Sequence, residues 1–124
     1  MNSARTAYMG SMVSTASPAR LLVLLYDRLV LDIQRGAELQ EAGEHVAASE
    51  HLMHAQEIVL ELQSSLRLDV WDGAAQLSAI YSFLHTRLVQ ANVKRDLEVT
   101  RSCLGLVEPL ASAWREAALV GAAG

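Results

Sequence analysis

Between positions 48 and 66 the apolar residues Ala48, Leu52, Ala55, Val59, Leu62 and Leu66 recur at steps of 4, 3, 4, 3 and 4. A strand needs alternation at every second residue, whereas this spacing lines one stripe of a helix and forms a heptad seam. A helix cannot bury its own stripe, so the seam demands other helices to pack against. Three further segments supply them. Leu22, Leu25, Tyr26, Leu29, Ile33 and Ala37 form one face, Leu77, Ile80, Tyr81, Leu84, Leu88 and Ala91 a second. Cys103, Leu104, Val107, Leu110, Ala111, Trp114 and Ala118 form a third, and no segment alternates as a strand does.

Local signals divide the chain between these seams. Ser17-Pro18 reads as a helix start, a hydroxyl to cap the free amides and then a proline whose missing N–H costs nothing there. Gly43 supplies the left-handed residue that ends the first helix. The second runs from about Glu44 and stops in Arg67–Asp69; Asp72-Gly73 opens the third. Asn92–Arg95 reads as a short polar turn, and Asp96 can cap the fourth. Short connections make sequential helices antiparallel. The expectation is an all-α, up-down four-helix bundle over residues 17–120, with an N-terminal arm over 1–16 and a frayed tail over 121–124. Pro109, four residues after Gly105, is expected to kink the fourth helix without breaking it, because the seam keeps its phase on both sides. The arm carries Tyr8, Met9, Met12 and Val13; it is either a disordered terminus or an apolar strap that docks on the bundle.

Composition sharpens the picture. Apolar residues make up 52% of the 124 and charged residues 19%, against about 45–50% and about 25% in an average domain. A small domain has proportionally more surface to cover with polar groups, so some apolar surface is left exposed or is covered by something else. A net charge of −4 and a pI near 5.5 argue against nucleic acid or an anionic membrane as partner. No apolar run reaches the roughly 18 residues of a membrane span; Leu21–Tyr26 is cut off by Asp27 and Arg28. Met1–Ser14, with one arginine and no apolar run, does not read as a secretory signal. The lone Cys103 reads as a reduced packing thiol.

The surplus apolar residues lie on the wrong faces. At about 100° per residue, Val46, Met53 and Leu60 fall roughly opposite the seam of the second helix, and Leu24 and Leu31 opposite that of the first. Phe83 and Val89 flank the third seam. Single exposed apolar residues need no explanation; five in heptad register on the backs of two helices do. They read as grooves for the amphipathic helices of a partner. The alternatives are a homodimer, or burial under the arm and the fourth helix.

Catalytic chemistry is hard to find. His51 and His54 lie three apart with Glu50 and Glu57 nearby, yet no Glu-x-x-His pair or His-Glu-x-x-His is present, so they read as surface histidines on a polar flank. The only lysine, Lys94, is remote from both in sequence. Ser64-Ser65 and Cys103 have no recognisable base beside them. Neither a cofactor nor a metal is expected.

One pattern is more specific. Ala7-Tyr8, Thr15-Ala16-Ser17-Pro18, Leu21-Leu22, Leu25-Tyr26-Asp27, Ala55-Gln56-Glu57-Ile58-Val59 and Glu61-Leu62-Gln63-Ser64-Ser65-Leu66, followed by Leu77, Ile80-Tyr81, Leu88, Ala91-Asn92, Asp96 and Trp114, together resemble the flagellin-export chaperone family (FliS) over roughly residues 5–118. The resemblance implies a cytoplasmic bundle that binds the C-terminal helices of flagellin, prevents premature polymerisation and aids delivery to the flagellar type III export gate. It also implies an arm, with Tyr8, that rests on the bundle and competes with cargo, and apolar grooves at Leu24, Leu31, Val46, Met53, Leu60 and Phe83 as the flagellin-binding surface. A homodimer is possible when cargo is absent. Two departures stand out: Val70 and Trp71 make the second turn more apolar than the family's, and Gly105 and Pro109 interrupt a helix that is normally regular.

Overall fold

The computed structural model describes residues 17–67 and 72–123. Tyr8 and the arm, and Val70 and Trp71 of the second turn, lie outside the described residues. Four helices follow in order: α1 (Pro18–Glu41), α2 (His45–Ser64), α3 (Ala74–Val93) and α4 (Leu97–Ala123).

The ends of these helices are set by local chemistry. Ser17 caps α1, its hydroxyl accepting the Arg20 amide at 3.2 Å. Gly43, at φ +77°, ends it. There the amides of Gly43 and Glu44 donate to the carbonyls of Gln40 and Leu39, the paired bonds of a Schellman motif. The same two bonds recur after α3, from Arg95 to Asn92 and from Asp96 to Ala91. Here the left-handed residue is Arg95, at φ +52°, where glycine is usual. With no glycine to mark the spot, the turn expected at Asn92–Arg95 starts too early; α3 continues through Val93. Asp96 caps α4, its carboxylate accepting the Val99 amide at 3.2 Å. Asp72 does not cap α3: Gly73 holds the cap position and no side chain bonds there.

Each helix packs on its sequence neighbours, and α4 returns to pack on α1. Ion pairs give the direction of this closure. Asp27 meets Arg115, and Glu41 meets Arg101 at 3.1 Å, so α4 runs antiparallel to α1 along its length. Gln63 bonds to Ser78 and Ser82, as antiparallel α2 and α3 require. Pro109 lies inside α4 without ending it, and α4 continues past residue 120 to Ala123.

The expected seams build the core: Tyr26, Leu29, Ile33, Leu52, Ala55, Val59, Leu62, Tyr81, Leu84, Leu88, Cys103 and Val107 are buried together. Gly36 sits where α1 and α2 approach most tightly; a Cβ there would lie 2.8 Å and 2.9 Å from Leu52 Cδ2 and Cγ. Two polar contacts cross the interior. Tyr26 and Tyr81 join hydroxyls at 2.6 Å. At the other end Thr100 donates to Gln40 Oε1 at 2.6 Å, while Gln40 Nε2 donates to the Ala91 carbonyl at 3.0 Å. These pairings satisfy groups whose burial alone would be costly.

Candidate protein-binding surfaces

The heptad stripe on the back of α2 is open to solvent. Val46 is 81% exposed, Met53 53% and Leu60 49%. Val46 and Met53 wall a cleft of about 490 Å³ whose other side is formed by Asn92 and Val93. Phe83 is exposed too, but in a different cleft of about 220 Å³ between α3 and α4, beside Leu84, Arg87 and Leu106. On α1, Leu31 is exposed and Leu24 half-buried. The six described candidates therefore do not meet in one groove; they lie on α1, along α2 and in two clefts on either side of α3.

Two further clefts escaped the sequence reading. One, of about 340 Å³, is lined by Leu21, Leu22, Leu25, Leu66 and Trp114 at the end where the chain enters α1. The other, of about 630 Å³, lies between α1 and α4 and is lined by Pro18, Val23, Ala118 and Leu119. Leu22 and Leu25 belong to the core stripe of α1, so periodicity assigns them to the interior. What it cannot show is where the helices end against one another; on the last turns of α4, Leu119 and Val120 are exposed.

The histidines correct the sequence reading. His51 and His54 are not free surface residues. Their Nδ1 atoms contact the two carboxylate oxygens of Asp32, His51 at 3.0 Å, and Arg28 Nε donates to Asp32 Oδ2 at 3.3 Å. Asp32 itself is fully buried. Its charge is tolerated because three donors converge on it. Helical periodicity treats α2 by itself, so it has no means of seeing a carboxylate on α1.

Ionisable groups in the core favour structure over chemistry. Burial pushes the Cys103 thiol up to about 11, against a smaller opposing pull from Arg87. Burial also raises Tyr26, with hydrogen bonds from Tyr81 and Trp114 acting the other way. Tyr81 is raised further, by burial and then by its hydrogen bond to Tyr26. A thiol held this far protonated is a poor nucleophile at neutral pH. Among the described residues, no set of three or more His, Cys, Asp or Glu is arranged to hold a metal, and no helix is long and apolar enough to cross a membrane.

Comparison with known proteins agrees with this geometry. The family model described as flagellar protein FliS matches residues 1–120. The flagellar secretion chaperone FliS of Bacillus subtilis is 33% identical over 112 residues, covering 90% of this chain and 84% of that protein. The protein of the same name from Salmonella typhimurium is 32% identical, with 86% and 80% covered. A crystal structure of a bacterial flagellar chaperone superposes with a TM-score of 0.74 at 21% identity, covering 92% of this chain and 94% of that one.

Proposed function

On the premise that this chain belongs to the FliS family of flagellar proteins, we propose that it is an export chaperone for flagellin that acts by binding alone. Its cargo is the C-terminal helical segment of flagellin, held in the cytoplasm against premature polymerisation and passed to the flagellar type III export apparatus. The observation that carries this reading is the solvent-exposed heptad of Val46, Met53 and Leu60 on α2. A folded monomer gains nothing from three apolar side chains at seven-residue intervals facing water, whereas an amphipathic helix laid along them buries all three. Full burial of such a side chain is worth roughly 1.5–3 kcal/mol; Met53 and Leu60 are already about half buried, so completing the burial of each adds about 1 kcal/mol and that of Val46 somewhat more. Leu24, Leu31 and Phe83, on other faces, suit a cargo that wraps the bundle instead of lying in one groove. The arm over 1–16, with Tyr8, competes with cargo for the bundle.

The test replaces Met53 and Leu60 together by glutamate. Both side chains are about half exposed, so the melting curve is expected to stay near that of the parent while flagellin binding in a calorimeter is lost. Undiminished affinity refutes the assignment of this face. Removal of residues 1–14 is expected to tighten flagellin binding.

A further inference from the structure

The outer face of α2 combines its apolar stripe with a charge pattern of one sign. Glu50, Glu57 and Glu61 are all exposed, and α2 contains no lysine or arginine. Among the described residues Glu50, Glu57 and Glu61 form no ion pair, whereas Asp27, Asp32 and Glu41 are each paired. At about 100° per residue, the three glutamates run beside Val46, Met53 and Leu60 on the flank nearer α1. Arg95 lines the cleft next to Val46 together with Glu50, and Arg67 lines the cleft that Glu61 borders, while Glu57 lies between the two. Three like charges on one helix that form no ion pair bring no internal benefit, since like charges four apart repel, as Glu57 and Glu61 do.

From this juxtaposition we infer that α2 accepts an amphipathic helix with apolar residues at heptad spacing and lysine or arginine on one flank. The inference rests on the proposed cargo face and specifies the chemistry read there. The stripe supplies contact area, and the glutamates choose among amphipathic helices by excluding acidic ones and setting the register of basic ones. A second copy of this chain is a weaker occupant. Leu24 and Leu31 on α1 offer an apolar counterpart, but Arg28, the arginine that would flank them, is already turned to Asp32.

The probes are two synthetic 21-residue amphipathic helices that differ only in carrying lysine or glutamate beside their leucines. The parent protein is expected to bind the lysine peptide roughly tenfold or more tightly than the glutamate peptide, as three exposed pairs of ordinary strength imply, with the difference shrinking in high salt. E50Q/E57Q/E61Q is expected to bring the two affinities close together with an unchanged melt. E98Q/E108Q/E116Q, which removes the same charge from α4, is expected to preserve the discrimination. Equal affinities for the two peptides overturn the inference, as does discrimination that survives in the α2 variant or vanishes equally in the α4 variant. Self-association of the parent abolished by E50Q/E57Q/E61Q also overturns it, because the occupant is then a second copy. Flagellin binding by the Met53→Glu, Leu60→Glu protein tests the cargo reading separately: that reading can fail while peptide discrimination holds, and the reverse.

Discussion

Replacing Tyr26 or Tyr81 by phenylalanine removes one oxygen from a nearly dry interior, and the two losses are expected to differ. The two hydroxyls lie 2.6 Å apart and both residues are 1% exposed. Either hydroxyl can donate in this bond, and each is the other's partner. Tyr26 also accepts from Trp114, whose ring lies 6.5 Å from its own. Tyr26→Phe therefore deprives two buried groups, the Tyr81 hydroxyl and the Trp114 N–H, of their partner, while Tyr81→Phe removes one partner and leaves Tyr26 still bonded to Trp114. A stranded buried donor costs about 1–3 kcal/mol and a lost neutral hydrogen bond about 1 kcal/mol. We expect Tyr26→Phe to cost about 2–3 kcal/mol and Tyr81→Phe about 1 kcal/mol. The double variant is expected to cost less than the sum by about 1 kcal/mol, since Tyr81 is stranded only when it is present. Urea denaturation of the three variants and the parent, read at constant m-value, completes the cycle. A Tyr81→Phe cost equal to or above that of Tyr26→Phe, or strictly additive effects, refutes the reading of Tyr26 as the hydroxyl with two partners.

Other perturbations have equally definite outcomes. Gly36→Ala adds a methyl within 2.9 Å of the buried Leu52 Cγ; overpacking of about 1–3 kcal/mol exceeds the gain of up to about 1 kcal/mol in helix propensity, so thermal melts should fall. Arg95→Gly relieves a left-handed backbone and should raise stability by about 0.5–1 kcal/mol. Removing His51 and His54 together leaves Asp32 buried with Arg28 alone and should cost more than Asp32→Ala, which only releases part-exposed partners to water; equal costs in urea refute the clasp. For Cys103, with its thiol at about 11, the native alkylation rate should keep climbing about tenfold per pH unit past pH 9, where an ordinary thiol levels off.

The bundle was legible because its signals are local. Seam spacing, the Ser17-Pro18 start and the Gly43 stop each act within a few residues, and each helix declares its own buried face. The exposed stripe on α2 was legible for the same reason: Val46, Met53 and Leu60 repeat on one helix. Features that depend on two helices were not. Asp32 is a polar residue within a largely apolar helix until α2 brings His51 and His54 to it, and the clefts at Pro18 are lined by residues that only the packing of separate helices brings together. Phe83 and Met53 lie in separate clefts because the body of α3 stands between them. The turn at Asn92–Arg95 was legible but starts two residues later, since Arg95 and not a glycine takes the left-handed position.

The return of α4 onto α1 has a consequence in time. The ribosome delivers α1 first and α4 last, yet Arg115 must find Asp27 and Arg101 must find Glu41. Contacts so distant in sequence form late, because the loops they close span 60 and 88 residues. Until translation passes about residue 115, the first helix has an uncovered apolar flank and nothing to cover it. A chaperone built this way spends its own synthesis as an unprotected client, and a chain stopped before α4 should be degraded or aggregate rather than persist as a smaller bundle.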